Sequence, residues 1–293
     1  MAVIRDRVSA DVGRKSCNTM DYRKIEPAPA LRSFVKCYYV LEAELGTETH
    51  VVQSPPNGYT AMVFNYGDPY RVSSATVADT LVPRCFFAGQ STTNYGLSFA
   101  GTVGVAGVVL MPAAVSTLFG LSMEGTADSR IELSSLLGDE VGTWCDSIIE
   151  AQSTETRIEG IQNYHISKLV GHRARYNVAD LAANRILTEQ GNVTVEELAS
   201  DLCVSRRHLE RKFLEKTGLS PKLYARIVRM SPISNFVAHH ENEKIDWQDL
   251  VFKGGFHDQN HFVKDFKKLN KLSPEQYHKK HQELTRYIRK KKQ

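Results

Sequence analysis

At 293 residues, with 42% hydrophobic residues and a net charge of +4, the chain is long enough for two packed domains. No run of about 18 apolar residues occurs, and the N-terminus carries no apolar stretch of the signal-peptide kind. Membrane and secreted readings are therefore set aside, and a cytoplasmic protein is expected. Five cysteines, Cys17, Cys37, Cys85, Cys145 and Cys203, are odd in number and far apart in sequence, which argues against a disulfide framework or a Cys-rich zinc site.

Residues 1–20 are polar and aperiodic, and read as a loose arm. Residues 21–112 read as β. Phe34–Leu41 is rich in β-formers, Thr49–Val52 follows, and Pro55-Pro56-Asn57-Gly58 signals a turn. Thr60–Tyr66, Cys85–Ala88 and Val103–Leu110 complete five strand candidates, and Pro112 closes the region. Short, closely spaced strands predict a sandwich or small barrel. Aromatics on these strands, Tyr38, Phe64, Tyr66 and Phe87, are candidates for lining an effector pocket, with plain core packing as the competing reading.

Residues 113–177 read as helices: Ala113–Leu121, Ile131–Leu137, Val141–Glu150 and Thr154–Val170. They would either cover the barrel or form a seam with a second copy of the chain. Before residue 165 the chain has a single histidine, His50, which cannot assemble the His/Glu cluster of a metal-dependent barrel enzyme. No nucleophile elbow and no phosphate loop occurs, so neither an enzyme nor a cofactor is expected.

Charge is unevenly spread. Residues 178–293 hold 22 Lys and Arg against 15 Asp and Glu, whereas the remainder is mildly acidic. A basic C-terminal part suits a polyanionic partner. That part contains one pattern twice. Leu209, Phe213, Ser220, Pro221 and Tyr224 recur 53 residues later as Phe262, Phe266, Ser273, Pro274 and Tyr277. An ordered repeat means two copies of one supersecondary unit. In the first copy Thr194 and Glu197 form a capping-box signature, Ser205 starts a second helix, Gly218 ends it, and Ser220-Pro221 opens the next. In the second, Asp258 is the N-cap. Two short helices about a tight turn follow the helix-turn-helix plan, whose second helix enters the major groove.

At about 100° per residue, Leu209 and Phe213 fix the buried direction of the first such helix, and Phe262 and Phe266 that of the second. Arg206, Arg207, Glu210 and Arg211 then face outward, as do Gln259, Asn260, Lys264 and Lys267. Arg and Lys suit guanine edges, Asn and Gln suit adenine, and Glu suits cytosine. His257 and His261, four apart, are a weak zinc candidate. The basic run from residue 282 to 293 reads as a disordered or frayed tail.

The segments S-R-R-H-L-E-R-K-F-L-E-K-T-G-L-S-P-K-L-Y, G-F-H-D-Q-N-H-F-V-K-D-F-K-K and L-S-P-E-Q-Y make residues 178–281 resemble the AraC/XylS family of transcription regulators. The resemblance implies an α+β chain: an N-terminal β-sandwich or cupin-like barrel with helices, then an all-α domain of two helix-turn-helix units. It implies double-stranded DNA as partner, with Arg207, Glu210, Arg211, Gln259, Asn260 and Lys264 at base-reading positions. A small-molecule effector, RNA polymerase and a second subunit are further expected partners. P-N-G-Y-T-A-M-V-F-N-Y-G-D-P-Y and F-F-A-G-Q are similar to an uncharacterised sensor subgroup of that family. The chain departs from the family at Cys203 and Lys271, where Gly is usual, at Val251, where Ala is usual, and at Pro232, which removes a hydrogen bond and would kink or break the helix joining the units. Competing readings are an interaction module whose DNA-binding region has degenerated and, more weakly, an enzyme in the N-terminal barrel.

Overall fold

Alternation along the strands decides the architecture, because a strand sends successive side chains to opposite faces. In the computed structural model, residues 3–4, 20–75, 77–169, 175–240, 245–256 and 258–280 are described. The N-terminal part comprises β1 (Val3–Ile4), β2 (Asp21–Ile25), β3 (Val35–Glu44), β4 (His50–Ser54), β5 (Thr60–Asn65), β6 (Arg71–Ser74), β7 (Thr80–Leu81), β8 (Cys85–Ala88), β9 (Tyr95–Phe99) and β10 (Thr102–Leu110). Helix α1 (Ala114–Phe119), strand β11 (Arg130–Glu132) and helices α2 (Leu133–Leu137), α3 (Gly142–Glu150) and α4 (Thr154–Ser167) follow.

The strands form two antiparallel sheets, ordered β1-β2-β3-β10-β5-β8-β11 and β4-β9-β6-β7. Val63, Phe86, Val103 and Val105 of the large sheet pack with Val72 and Phe99 of the small one. Their alternates, Tyr38, Met62, Phe64, Phe87 and Val108, face the other way and pack with Leu118, Ile148, Ile158 and Ile161 of the helices. The N-terminal part is thus a β-sandwich with helices on the outer face of its large sheet. The helices cover that sheet within one subunit, and Trp144 is stacked on Tyr164 at 3.8 Å and meets Phe64 in a T-shaped contact at 5.0 Å.

Four expectations about the N-terminal part need correcting. Arg130–Glu132 is a strand paired with β8, so helix begins at Leu133 rather than Ile131. Strands β2, β6, β7 and β9 are additional; most are short and half exposed, which leaves little apolar pattern to read. Within the 1–20 arm, Val3 and Ile4 pair with Ile25 and Lys24, while most of the arm lies outside the described residues, as do residues 281–293. Finally, Tyr38, Phe64 and Phe87 are fully buried in the helix-facing core.

The C-terminal part is all-α: α5 (Val178–Thr188), α6 (Val195–Asp201), α7 (Arg206–Thr217), α8 (Pro221–His239), α9 (Trp247–Lys253), α10 (Gln259–Asn270) and a helical segment at 274–280. One core gathers Ala182, Ile186, Leu198, Leu209, Phe213, Tyr224, Ile227, Val251, Phe262, Phe266 and Tyr277. The expected break at Pro232 does not occur. Helix α8 runs through it for 19 residues, about 28 Å at 1.5 Å per residue. Ile227, Met230, Ile233 and Val237 bury on both sides of the proline, so packing offsets the lost hydrogen bond.

Candidate nucleic-acid interface

Each helix-turn-helix unit is set by local chemistry. Thr194 and Glu197 form a reciprocal capping box at the start of α6, with Glu197 N–H donating to Thr194 Oγ1 at 3.1 Å and Thr194 N–H to Glu197 Oε2 at 2.7 Å. Ser205 caps α7 through His208 N–H, and Gly218 ends it in the left-handed region at φ 80°. In the second unit Asp246 caps α9 and Asp258 caps α10, the latter accepting from His261 N–H at 2.7 Å. Cys203 (φ 51°) and Lys271 (φ 61°) occupy left-handed positions where glycine would be unstrained.

The buried stripe of α7 is Leu209, Phe213, Lys216 and Thr217, and that of α10 is Phe262, Asp265, Phe266 and Leu269. The opposite faces carry exposed Arg206, Arg207 and Arg211 with half-buried Glu210, and exposed Gln259, Asn260, Lys264 and Lys267. Arg206 is the exception to a free cationic face. It donates through Nε to Glu210 Oε1 at 2.9 Å and also pairs with Glu196 of α6, closing a network across the turn. Among the described residues Arg207, Arg211, Lys264 and Lys267 make no ion pair. His257, half of the zinc candidate, lies outside the described residues, and no group of three metal-ligating side chains occurs among those described.

Helix α8 joins the units and is tied most firmly to the second. Arg226 Nε stands 3.2 Å from Asp265 Oδ1, Asn270 Nδ2 donates to Ser234 Oγ at 2.9 Å, and the Arg229 guanidinium lies 4.9 Å from the Phe256 ring.

The sandwich also holds the C-terminal ends of both outward-facing helices. Met123 N–H donates to Glu215 O on α7 at 2.8 Å, and Asn94 N–H to Leu269 O on α10 at 3.0 Å. A side chain at Gly218 would stand 2.7 Å from Met123 O, so that glycine serves both the turn and the docking. Gly58, in the expected Pro55–Gly58 turn, sits against Val228 and Tyr224 of α8.

Beside these contacts is a buried polar cluster. Lys216 Nζ donates to Thr117 Oγ1 at 2.6 Å and to Arg175 O at 2.5 Å, and stands 3.1 Å from Asp180 Oδ2. Thr117 Oγ1 donates to Asp180 Oδ1 at 2.5 Å, while Asp180 Oδ2 accepts Asn177 N–H at 2.8 Å. The Lys216 and Asp180 side chains are 4% and 5% exposed, so each charge depends on the other for its solvation. Burial lowers the Lys216 pKa and Asp180 opposes that shift. Sequence reasoning missed all three residues. The signal at Lys216 was its place on the apolar stripe of α7; the signal at Asp180 was its spacing from Asn177, a capping pair.

None of the four aromatic pocket candidates lines the small cavity beside Phe34 and Tyr176 or the larger one beside α8. Tyr38, Phe64 and Phe87 are core, and Tyr66 donates its hydroxyl to Glu42 Oε1 at 2.7 Å beneath the Arg157 guanidinium. A cavity of about 420 Å³ lies instead between α8 and α9, lined among others by Arg229, Pro232, Phe236, Asp246 and Leu250.

Two linked helix-turn-helix units with a shared core define the C-terminal part as a double helix-turn-helix domain. Residues 198–280 match the family model described as a helix-turn-helix domain, and residues 23–132 match one described only as a domain of unknown function. The chain is similar to the HTH-type transcriptional activator RhaS of Klebsiella pneumoniae, 33% identical over 79 residues, 27% of each chain. It is similar to the lactose operon transcription activator of Staphylococcus xylosus, 32% identical over 88 residues, 30% of each chain. These matches span less than a third of the curated relatives' length. Among solved structures, ToxT from Vibrio cholerae is 12% identical over 82% of this chain and 97% of that one, at a TM-score of 0.42. Residues 198–280 are a helix-turn-helix domain similar to the matched regions of these transcription activators.

Proposed function

We propose that the chain is a sequence-specific transcription regulator that binds double-stranded DNA through α7 and α10, each in a major groove. The observation that carries this reading is the pair of capped helices, built on one repeated core, with unpaired Arg and Lys on the face opposite that core. In this reading Arg207, Glu210, Arg211, Gln259, Asn260 and Lys264 meet base edges, while Arg206 and Lys267 meet phosphates or neighbouring bases. Helix α8, about 28 Å long, sets a separation compatible with successive grooves about 34 Å apart.

The domain division that goes with this function is a sandwich over residues 21–112, a helical cover and linker over 113–177, and the DNA-binding domain over 178–281. The sandwich acts as a sensor with no catalytic role, working in the cytoplasm, with an effector, RNA polymerase and a second copy of the chain as partners. The domain of unknown function at residues 23–132, docked on both outward-facing helices, supports a control role.

The experiment is selection of duplexes from a random library by the full chain, followed by footprinting and titration at increasing salt. Two protected major-groove stretches about one helical turn apart are expected, with affinity falling steeply between about 50 and 200 mM salt. Failure to select any sequence, or one protected stretch only, would sink the two-groove reading.

A further inference from the structure

Pro232 does not end its helix, but it stands in the wall of the cavity between α8 and α9. Arg229, Pro232, Ile233 and Phe236 line that cavity from α8, spaced so that they share one helix face. Asp246, Asp249, Leu250 and Lys253 line it from α9 and its cap with the same spacing. Two such faces ordinarily interdigitate. Here about 420 Å³ lies between them, a volume in the range of small-molecule sites. Phe236 is left 45% exposed for want of a facing side chain. Pro232 has no N–H, so Val228 O on the same helix lacks its usual donor.

The cavity has a polar end and an apolar end. The C-terminal end of α9 lies hard against its neighbours: a side chain on Gly254 would stand 2.6 Å from Ile233 Cδ1, and one on Gly255 would collide with Asn192. The Gln190-Gly191-Asn192 turn abuts Arg229, since a Cβ on Gly191 would stand 2.9 Å from Arg229 Cβ. Arg229, Lys253 and the amides of Gln190 and Asn192 therefore gather at one end. Phe236 and His240, with rings stacked at 4.5 Å, mark the other.

The charges around the cavity differ in what they already hold. Asp249 pairs with Lys253 at 2.7 Å, and Asp246 Oδ1 accepts the N–H groups of Gln248 and Asp249. Arg229 is held over the Phe256 ring at 4.9 Å, its Nε is buried without a hydrogen-bond partner, and it forms no ion pair among the described residues. Asp265 is taken by Arg226 at 3.2 Å. A guanidinium with no anion, held in place by packing, suits a carboxylate in the plane of its fork. Beyond it, Pro232, Ile233 and Leu250 offer an apolar floor leading to the Phe236 ring. Arg229 and Phe236 are two turns apart, about 10 Å along α8, the length of a phenyl ring on a short chain.

We propose that this cavity binds an arylalkanoic acid, carboxylate on Arg229 and ring against Pro232 and Phe236. Seated between the two helices, the acid sets the angle of α9, and with it α10, on α8. The effect on DNA rests on the regulator reading; the binding does not.

The test uses the full chain. Calorimetric titration compares 3-phenylpropionate with 3-phenylpropan-1-ol and 3-phenylpropylamine. The acid is expected to bind at least about tenfold more tightly than either. Arg229→Met, which keeps the packing on Phe256, should abolish that preference and leave the affinity for the alcohol unchanged. Hydrogen exchange should slow in α8 and α9 when the acid binds. No binding of the acid at millimolar concentration, equal affinity for all three compounds, or slowed exchange confined to the sandwich would overturn the site. Should Arg229→Met not fold, Phe236→Ala, at an exposed position, is the second variant: it should weaken the acid at least about fivefold, and unchanged affinity counts against the site. Affinity for a duplex selected by the ligand-free protein should change at least about fivefold with saturating acid; no change would overturn the control of α10. If no duplex is selected at all, the regulator reading fails and the titrations alone decide the site.

Discussion

Arg211 and Lys264 occupy corresponding turns of α7 and α10, exposed and without an ion-pair partner among the described residues. Replacing either with Ala should leave folding intact and relax specificity at separate base steps, by about 1–3 kcal/mol each. Competition binding against single-base variants of the selected duplex checks this; unchanged selectivity in both would mean the readers are other residues. At the same scale, His165 is fully buried on α4, its Nδ1 bonded to Ile161 O at 2.8 Å, and burial lowers its pKa from 6.5 to about 4. The unfolded chain therefore binds this proton first on acidification. Neutral His165 contributes its full stability above about pH 6.5, and that contribution is lost as pH falls toward 4. Stability of His165→Leu, followed by urea melts across that window, should fall less steeply with acid than the parent's. Equal slopes would show that the histidine is not the titrating group.

At the scale of elements, two helix-turn-helix features rest on strained residues. Cys203 sits in the turn between α6 and α7, and Lys271 caps α10, both with positive φ. A non-glycine residue there costs about 1–2 kcal/mol, part of which glycine gives back through its greater freedom when unfolded. Cys203→Gly and Lys271→Gly should each raise stability by about 0.5–1 kcal/mol in thermal or urea melts; a loss in both would mean the side chains stabilise more than the backbone strain costs. The sequence marked these two positions as departures from the glycine usual there, and also marked Pro232. The first two prove to be turns of the usual shape carrying an unusual residue. The third proves harmless to helix continuity, because α8 is embedded in the core of both units and bonded to α10 through Arg226 and Ser234. The proline by itself could foresee a break but not the neighbours that bury α8 on both sides of it.

Across the whole molecule, Thr117, Asp180 and Lys216 join the sandwich to the helix-turn-helix domain through one buried ion pair and one hydroxyl. Thr117→Val keeps the shape and removes the hydroxyl that both charges use, leaving a donor and an acceptor short of a partner. It should cost about 1–3 kcal/mol, and it should loosen the docking, read as faster proteolysis between α4 and α5. Lys216→Ala leaves Asp180 buried without its cation and should cost more, about 3–5 kcal/mol. If Thr117→Val matches the parent in both stability and proteolysis, the cluster does not couple the domains.

Local signals were sufficient for much of this protein. Capping pairs, the left-handed Gly218, and the i,i+4 spacing of Leu209 with Phe213 and of Phe262 with Phe266 act within a few residues, so the repeat and its outward faces were legible from residue order alone. Strand β-formers likewise located β3, β5, β8 and β10. What only the tertiary structure decided involves partners distant in the chain. Which face of the large sheet Tyr38, Phe64 and Phe87 occupy follows from register between strands. The burial of Lys216 against Thr117 and Asp180 and the grip of Met123 and Asn94 on two helix ends both require closing long loops, which nearest-neighbour patterns do not encode.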